Sequence, residues 1–98
     1  MLDLYNNKYD MITLVKNIYA INMLDVLKTQ DIDENFVAFY ILNKNYQLTE
    51  AEKNITINDV IKFQKKLSIE KIKIYEKIRF SFLNEKFHDF EYISNINT

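Results

Sequence analysis

The sequence predicts an all-α fold, a small bundle of about four helices that forms a single domain over residues 1–98. Apolar residues recur at helical spacing in residues 8–28, 33–42 and 57–83. Glycine and proline are both absent, so the tight glycine turns on which β-hairpins depend are unavailable. Hydrophobic residues make up 48% of the chain, enough for one core in a domain of this length.

The first predicted helix runs from Lys8 to Lys28, with Asn7 as its cap. Its apolar residues form two neighbouring stripes, so we expect it to be the most buried helix. The stripes consist of Ile12, Val15, Tyr19, Met23 and Val26, and of Met11, Leu14, Ile18 and Ile21. A helix that is apolar on nearly all sides also leaves a face for a second copy of the chain, so a homodimer is one candidate assembly.

The second predicted helix covers Asp33–Leu42, and either Asp33 itself or Asp31 paired with Glu34 caps its start. Its inner face consists of Phe36, Val37, Tyr40 and Ile41. Asn43–Asn45 ends this helix, and we expect an asparagine there to adopt the left-handed conformation that glycine normally supplies.

Two capping boxes mark the helix starts that follow. Thr49 with Glu52 opens a short helical turn that ends near Lys53, and Thr56 with Asp59 opens the next helix. In each pair the threonine accepts the N–H three residues later, and the acidic side chain returns to the N–H of the threonine.

The longest periodic segment is Thr56–Leu83, for which we favour a helix that is continuous or only slightly broken. Five lysines fall on one side of this helix: Lys62, Lys65, Lys66, Lys73 and Lys77. Its apolar side consists of Ile57, Val60, Ile61, Phe63, Leu67, Ile74, Tyr75, Ile78 and Phe82. Four residues misfit, because Gln64 and Lys71 fall on the apolar side and Ile69 and Phe80 fall among the lysines. A break near Ser68, which could cap a second helix, is the alternative.

Residues 84–98 allow two interpretations. One is a last helical turn or coil that packs on the bundle, which fits Phe87, Phe90, Tyr92 and Ile93. Residues 79–83 and 88–93 also alternate enough to form a short C-terminal hairpin around a turn at residues 84–87. We favour the helix or coil.

The residue types make catalysis improbable, and we expect a protein that is not an enzyme and needs no cofactor. There is no cysteine, so no thiolate nucleophile and no cysteine metal site exist. His88 is the only histidine and supplies too few ligands for a transition metal, so we expect no metal site. A phosphate-binding loop requires glycines that the chain lacks.

The N-terminal residues 1–10, MLDLYNNKYD, lack the basic and apolar regions of a signal peptide. The longest apolar runs are far shorter than a membrane span. We therefore expect a cytoplasmic protein that does not act in a membrane.

The expected function is protein binding, as a regulator, inhibitor or accessory protein. Residues 60–80 hold seven basic and two acidic residues in a chain whose net charge is −1, which points to a charged partner. The predicted partner-binding residues are Lys62, Lys65, Lys66, Ile69, Lys73, Lys77 and Phe80, an apolar centre with a charged rim. Bacteriocin immunity proteins and phage or plasmid accessory proteins are similar in size and composition, although no motif of theirs is present.

Nucleic-acid binding is the alternative function. Val60–Leu67, a turn at Ser68 and Glu70–Phe80 resemble a helix-turn-helix, and the C-terminal hairpin would add a wing. The lysines would contact phosphates, and Arg79 is the only arginine for reading bases.

Overall fold

The computed structural model describes the backbone of residues 2–94 and the side chains of residues 2–81. Over residues 2–94 every regular element is helical and no strand occurs, which confirms the predicted all-α class. The α-helices are α1 Met11–Lys16, α2 Met23–Thr29, α3 Glu34–Phe36, α4 Glu50–Lys53, α5 Ile57–Phe63 and α6 Ile69–Ser94. A π-helical turn, Val37–Ile41, extends α3, and 3-10 turns occupy Ile18–Ala20 and Lys44–Tyr46. Apart from α6, each α-helix has seven residues or fewer.

Each of these helices begins at a short polar side chain that accepts a backbone N–H group. The caps are Asp10, Asn22, Asp33, Thr49, Thr56 and Ser68, in the order of the helices. Both predicted capping boxes, at Thr49 and Thr56, are confirmed. The prediction of Asn7 as the first cap is wrong, because Asp10 accepts the N–H of Thr13.

The prediction of one helix from Lys8 to Lys28 is also wrong. Asn17 ends α1, where its side-chain amide donates to the carbonyl of Thr13. Asn22 then starts α2 by accepting the N–H groups of Leu24 and Asp25. Asparagine side chains compete in this way with helical hydrogen bonds, so two asparagines divide an apolar stretch whose periodicity favours one helix.

The second predicted helix, Asp33–Leu42, is confirmed in extent. Its last turn is π-helical, since the N–H of Leu42 donates to the carbonyl of Val37 five residues earlier, at 2.9 Å. The predicted left-handed asparagine is wrong: Asn43 has φ −94°, and positive φ occurs nowhere in the described backbone.

The segment predicted as one long helix breaks between α5 and α6, so the alternative of a break near Ser68 holds. Gln64 turns inward and donates to the carbonyls of Leu27 and Gln30 at 2.8 and 2.7 Å. Beyond the break α6 continues through Ser94, so the alternative of a C-terminal hairpin is wrong and the favoured helix is confirmed as far as Ser94.

One hydrophobic core joins these short elements, and α6 packs against α3 and its π-helical turn. The side chains with no measurable exposure include Leu14, Met23, Val26, Leu27, Val37, Ile41, Val60 and Ile72. Apolar burial of this kind is the dominant favourable contribution to folding. Within this core α2 packs against α4, α5 and the π-helical turn.

A buried carboxylate fixes α4 to the start of α2. Glu52 is 2% exposed, and its Oε2 accepts the N–H of Met23 at 2.7 Å. Its Oε1 accepts the N–H groups of Leu48 and Thr49 at 3.0 and 2.8 Å. Backbone donors therefore satisfy both oxygens of this buried side chain, as its position in the core requires.

Candidate interaction surfaces

The five lysines of the predicted site are all exposed, but they do not share one helix face. Lys62 lies at the end of α5, Lys65 and Lys66 lie in the turn, and Lys73 and Lys77 lie one turn apart on α6. The prediction of a single lysine face is therefore wrong, because the turn separates two helix axes.

Some of these lysines already have neighbours within the chain. The Nζ atom of Lys66 lies 3.7 Å from Oδ1 of Asp31, in an exposed pair that contributes little stability. The Nζ atoms of Lys28 and Lys62 lie 5.6 and 5.7 Å from the ring centroid of Phe63, in cation–π contacts. The turn is thus a basic region built around one half-exposed aromatic ring.

Glu34 fixes the start of α6 to α3. Its Oε2 accepts the N–H of Ser68 at 2.9 Å. This hydrogen bond, helped by the charges of Lys71 and Lys66, lowers the pKa of Glu34 below its ordinary value of 4.5. The contact holds α6 at the angle at which Ile72 enters the core.

The outward face of α6 carries apolar side chains that the sequence analysis predicted to be buried. Ile74 and Ile78 are 55% and 50% exposed, whereas Ile72 is fully buried. The predicted apolar side is wrong here because the break after α5 resets the helical phase. Phe82, on the same predicted side, lies outside the residues whose side chains are described.

We define the α6 surface as Ile69, Lys73, Ile74, Lys77, Ile78 and Phe80, all of them exposed. On a helix with 100° per residue, Lys73 and Lys77 form a strip with Ile74 and Ile78 on one side. Phe80 and Ile69 lie on the other side of that strip, exposed as predicted. Apolar and cationic side chains thus alternate around one continuous outward face.

Arg79 points inward and is 7% exposed. Its guanidinium carbon lies 4.5 Å from the ring centroid of Phe80, and within the described residues its Nε has no hydrogen-bond partner. The proposed use of Arg79 in base reading does not fit this position, because a buried guanidinium cannot reach a DNA groove.

A second surface, which the sequence interpretation assigned to the core, lies on α1. Ile12 and Tyr19 are each 67% exposed and Val15 is 36% exposed, whereas Leu14 on the neighbouring stripe is fully buried. The prediction that both stripes are buried is wrong for these three residues, because α1 ends at Lys16 and is too short to be surrounded by other helices. Met23 and Val26, farther along the same stripe, are fully buried on α2.

Aromatic rings extend this second surface across the molecule. The ring centroids of Tyr19 and Tyr46 are 5.3 Å apart, and those of Tyr46 and Tyr40 are 5.1 Å apart. Phe36 follows, 5.0 Å from Tyr40. We define the aromatic surface as Ile12, Val15, Tyr19, Tyr40 and Tyr46 with the groove beside them, a cavity of about 220 Å³ lined by Met11, Val15, Asp33, Asn35, Phe36 and Tyr40.

The signal for the aromatic surface is present in the sequence. Apolar residues cover nearly the whole circumference of residues 11–21. A surface helix normally buries a stripe and not its whole circumference, so one stripe of a short helix has to stay outside. Which stripe stays outside depends on the packing of α1 against its neighbours.

The ionisable groups with shifted pKa values all move away from neutrality. Burial raises the pKa of Tyr46, and the bond from the Tyr5 hydroxyl to the Asp25 carboxylate raises the pKa of Tyr5. Hydrogen bonding by Thr13 lowers the pKa of Asp10. Among the searched residues no three His, Asp or Glu side chains lie close enough together to hold a metal ion, and His88 lies outside the described side chains.

None of the described helices combines the length and the apolar character that crossing a membrane requires. Comparison with protein-family models, with curated proteins and with solved structures finds no match for this chain. The physical character of the two surfaces therefore carries the functional argument.

Proposed function

We propose that the protein acts by binding another protein through the α6 surface, as an accessory or inhibitory protein that masks its partner, and not by catalysis. The observation that carries the proposal is the exposure of Ile74 and Ile78 beside Lys73 and Lys77. Two branched aliphatic side chains one turn apart form an apolar ridge, which gains free energy when a partner covers it.

The chemistry of the α6 surface defines the partner. Lysines border the isoleucine ridge, so the matching surface has an apolar groove with Asp or Glu side chains at its rim. The charges would raise the association rate, and the isoleucines would supply most of the affinity. The proposed partner is cytoplasmic, because a chain without cysteine suits a reducing compartment.

The ionisable groups support binding over catalysis. A general acid or base works best with a pKa near the working pH, whereas each shifted pKa among the described groups moves away from neutrality. The deeply buried Glu52 is engaged by three backbone N–H groups, so its carboxylate is occupied in holding α4 and α2 together.

The test is retention of a partner by immobilised protein from a lysate of the source cells. The double variant Ile74→Asp, Ile78→Asp should lose a partner that wild type retains. The matched control is Leu48→Asp, which changes a side chain that is 61% exposed but is not part of the α6 surface. Retention of the same partner by the double variant would refute the proposed site.

DNA binding is the second candidate, favoured by one observation. Helices α5 and α6 are joined by the five residues 64–68, close to the spacing of a helix-turn-helix. Lys65 and Lys66 are exposed in this connection and could contact phosphates. The buried position of Arg79 and the exposed isoleucines of α6 make this the weaker candidate.

A binding assay with random duplex DNA at low salt separates the two candidates. DNA binding predicts a mobility shift that salt abolishes and that Lys65→Glu, Lys66→Glu removes. The control Lys44→Glu, Lys53→Glu changes two exposed lysines elsewhere and should leave the shift in place. No shift with wild-type protein would remove this candidate.

A further inference from the structure

We propose that two copies of this chain associate through the aromatic surface in a symmetric dimer. This surface lies on α1, on the π-helical turn after α3 and on the two 3-10 turns that hold Tyr19 and Tyr46. It does not include the residues of the α6 surface. The inference is therefore independent of the proposed partner binding.

The aromatic surface carries a protruding side chain beside a groove. Ile12 is 67% exposed, and on the same short helix Val15 lines the groove together with Met11. In a two-fold symmetric contact each copy presents the same patch to the other. A patch that holds both a knob and a hole satisfies this condition, because Ile12 of each copy can fill the groove of the other.

The charges at the two ends of α1 fit the same symmetry. Asp10 caps the start of α1, and Lys16 is its last residue; both side chains are exposed. A two-fold axis across the middle of α1 sets the two helices antiparallel, so Asp10 of one copy lies opposite Lys16 of the other. The contact occurs twice, and between these ends lie only the uncharged residues of α1.

Aromatic side chains enlarge the contact beyond α1. The ring of Tyr19 lies tilted against that of Tyr46, and the ring of Tyr46 lies tilted against that of Tyr40, which itself lines the groove. Tyrosine is enriched at protein interfaces because its ring is apolar and its hydroxyl forms hydrogen bonds. A second copy, with its own tyrosines in the same places, covers this row, and Asp33 at the groove keeps the hydrogen bond that it accepts from the N–H of Phe36.

The experiment is light scattering coupled to size exclusion, or sedimentation equilibrium, over a range of protein concentrations. Wild type should approach twice the chain mass of 11.9 kDa as concentration rises. Ile12→Asp should remain a monomer, whereas the equally exposed control Leu48→Asp should dimerise like wild type. Circular dichroism of each variant verifies that it is folded.

A charge variant tests the antiparallel arrangement. Lys16→Glu places a carboxylate opposite Asp10 at both contacts, and we expect the dimer dissociation constant to rise roughly tenfold or more. Lys53→Glu, which changes an exposed lysine on α4 that is not part of the aromatic surface, should leave the constant unchanged. Wild type that stays monomeric at about millimolar concentration, or Ile12→Asp that dimerises as wild type does, would overturn the proposal.

Discussion

Side-chain amides take the place of glycine at the helix ends of this protein. Helices commonly end with a glycine in the left-handed conformation, which brings N–H groups to the last carbonyls. Here the donors are side chains: Asn17 serves α1, Gln64 serves α2, and Asn43 and Gln47 serve the α3 region. The chain can therefore satisfy the carbonyls at these helix ends without any residue of positive φ.

Gln64→Glu tests this role. The variant has nearly the same shape, but a carboxylate cannot donate to the carbonyls of Leu27 and Gln30 and would be buried. We expect the free energy of unfolding to fall by about 2–4 kcal/mol. Urea denaturation measures the change, and Asn58→Asp, the same chemical change on the exposed side of α5, should alter stability by less than about 0.5 kcal/mol.

Glu34 makes one contribution to stability depend on pH. Because the folded-state pKa of Glu34 is lowered below 4.5, its carboxylate stabilises the fold at pH values above the unfolded-state pKa. This contribution is lost as the pH falls through the lowered pKa. The unfolding free energies of wild type and Glu34→Gln should therefore differ at neutral pH and converge in acid.

Denaturant titrations at a series of pH values measure that convergence. Glu50→Gln is the control, because Glu50 is exposed and makes only a 3.9 Å ion pair with Lys53. A difference between wild type and Glu34→Gln that stayed constant down to about pH 3 would show that the bond to Ser68 is not the cause.

At the scale of the element, the structure differs from the sequence prediction in which face of α6 points into the core. A helical wheel drawn through residues 57–83 assumes one axis and one phase. The turn between α5 and α6 ends that continuity, and the Glu34–Ser68 bond fixes a new start. As a result Ile72 and Arg79, seven residues apart on one stripe, face inward, while Ile74 faces outward.

Two alanine variants on α6 distinguish the orientations. Ile72→Ala should reduce the free energy of unfolding by about 2–4 kcal/mol, because it leaves a cavity in the core. Ile74→Ala should change it by less than about 1 kcal/mol, since the side chain is half exposed. The wheel drawn from sequence predicts that Ile74→Ala is costly, so urea denaturation of the two variants decides between them.

At the scale of the whole molecule, one long helix extends from a core that the short capped helices form together with its first turn. The 26 residues of α6 span about 39 Å, and the molecule measures 56 × 30 × 25 Å. Its radius of gyration of 15.6 Å exceeds the roughly 13 Å of a compact domain of this length. The elongated shape follows from a helix longer than the core formed by the other elements.

The two surfaces should act independently. Ile12→Asp should abolish self-association and leave retention of a partner unchanged. The double variant Ile74→Asp, Ile78→Asp should abolish retention of a partner and leave self-association unchanged. The reason is that the two sets of residues share no side chain and lie on different helices. Sedimentation and partner retention, measured on both variants, test this; a parallel loss of both properties in either variant would show that the surfaces are coupled.

The fold class and three of the six helix starts could be predicted from local patterns. Capping boxes at Thr49 and Thr56 and the cap at Asp33 involve residues within three positions of each other, so their geometry follows from the backbone alone. Contacts between residues that are distant in the chain could not be predicted in this way. Gln64 was a misfit on the helical wheel because its partners, Leu27 and Gln30, lie more than 30 residues earlier.

The sequence by itself determined the all-α class, the helix starts at Asp33, Thr49 and Thr56 and the exposure of the lysines, because these depend on composition and on contacts between near neighbours. The tertiary structure alone decided which apolar stripes are outside. A short helix in this chain has more apolar faces than one core can cover, and long-range bonds such as Gln64 to α2 and Glu34 to Ser68 select the face that is buried. Ile12, Tyr19, Ile74 and Ile78 are exposed for that reason.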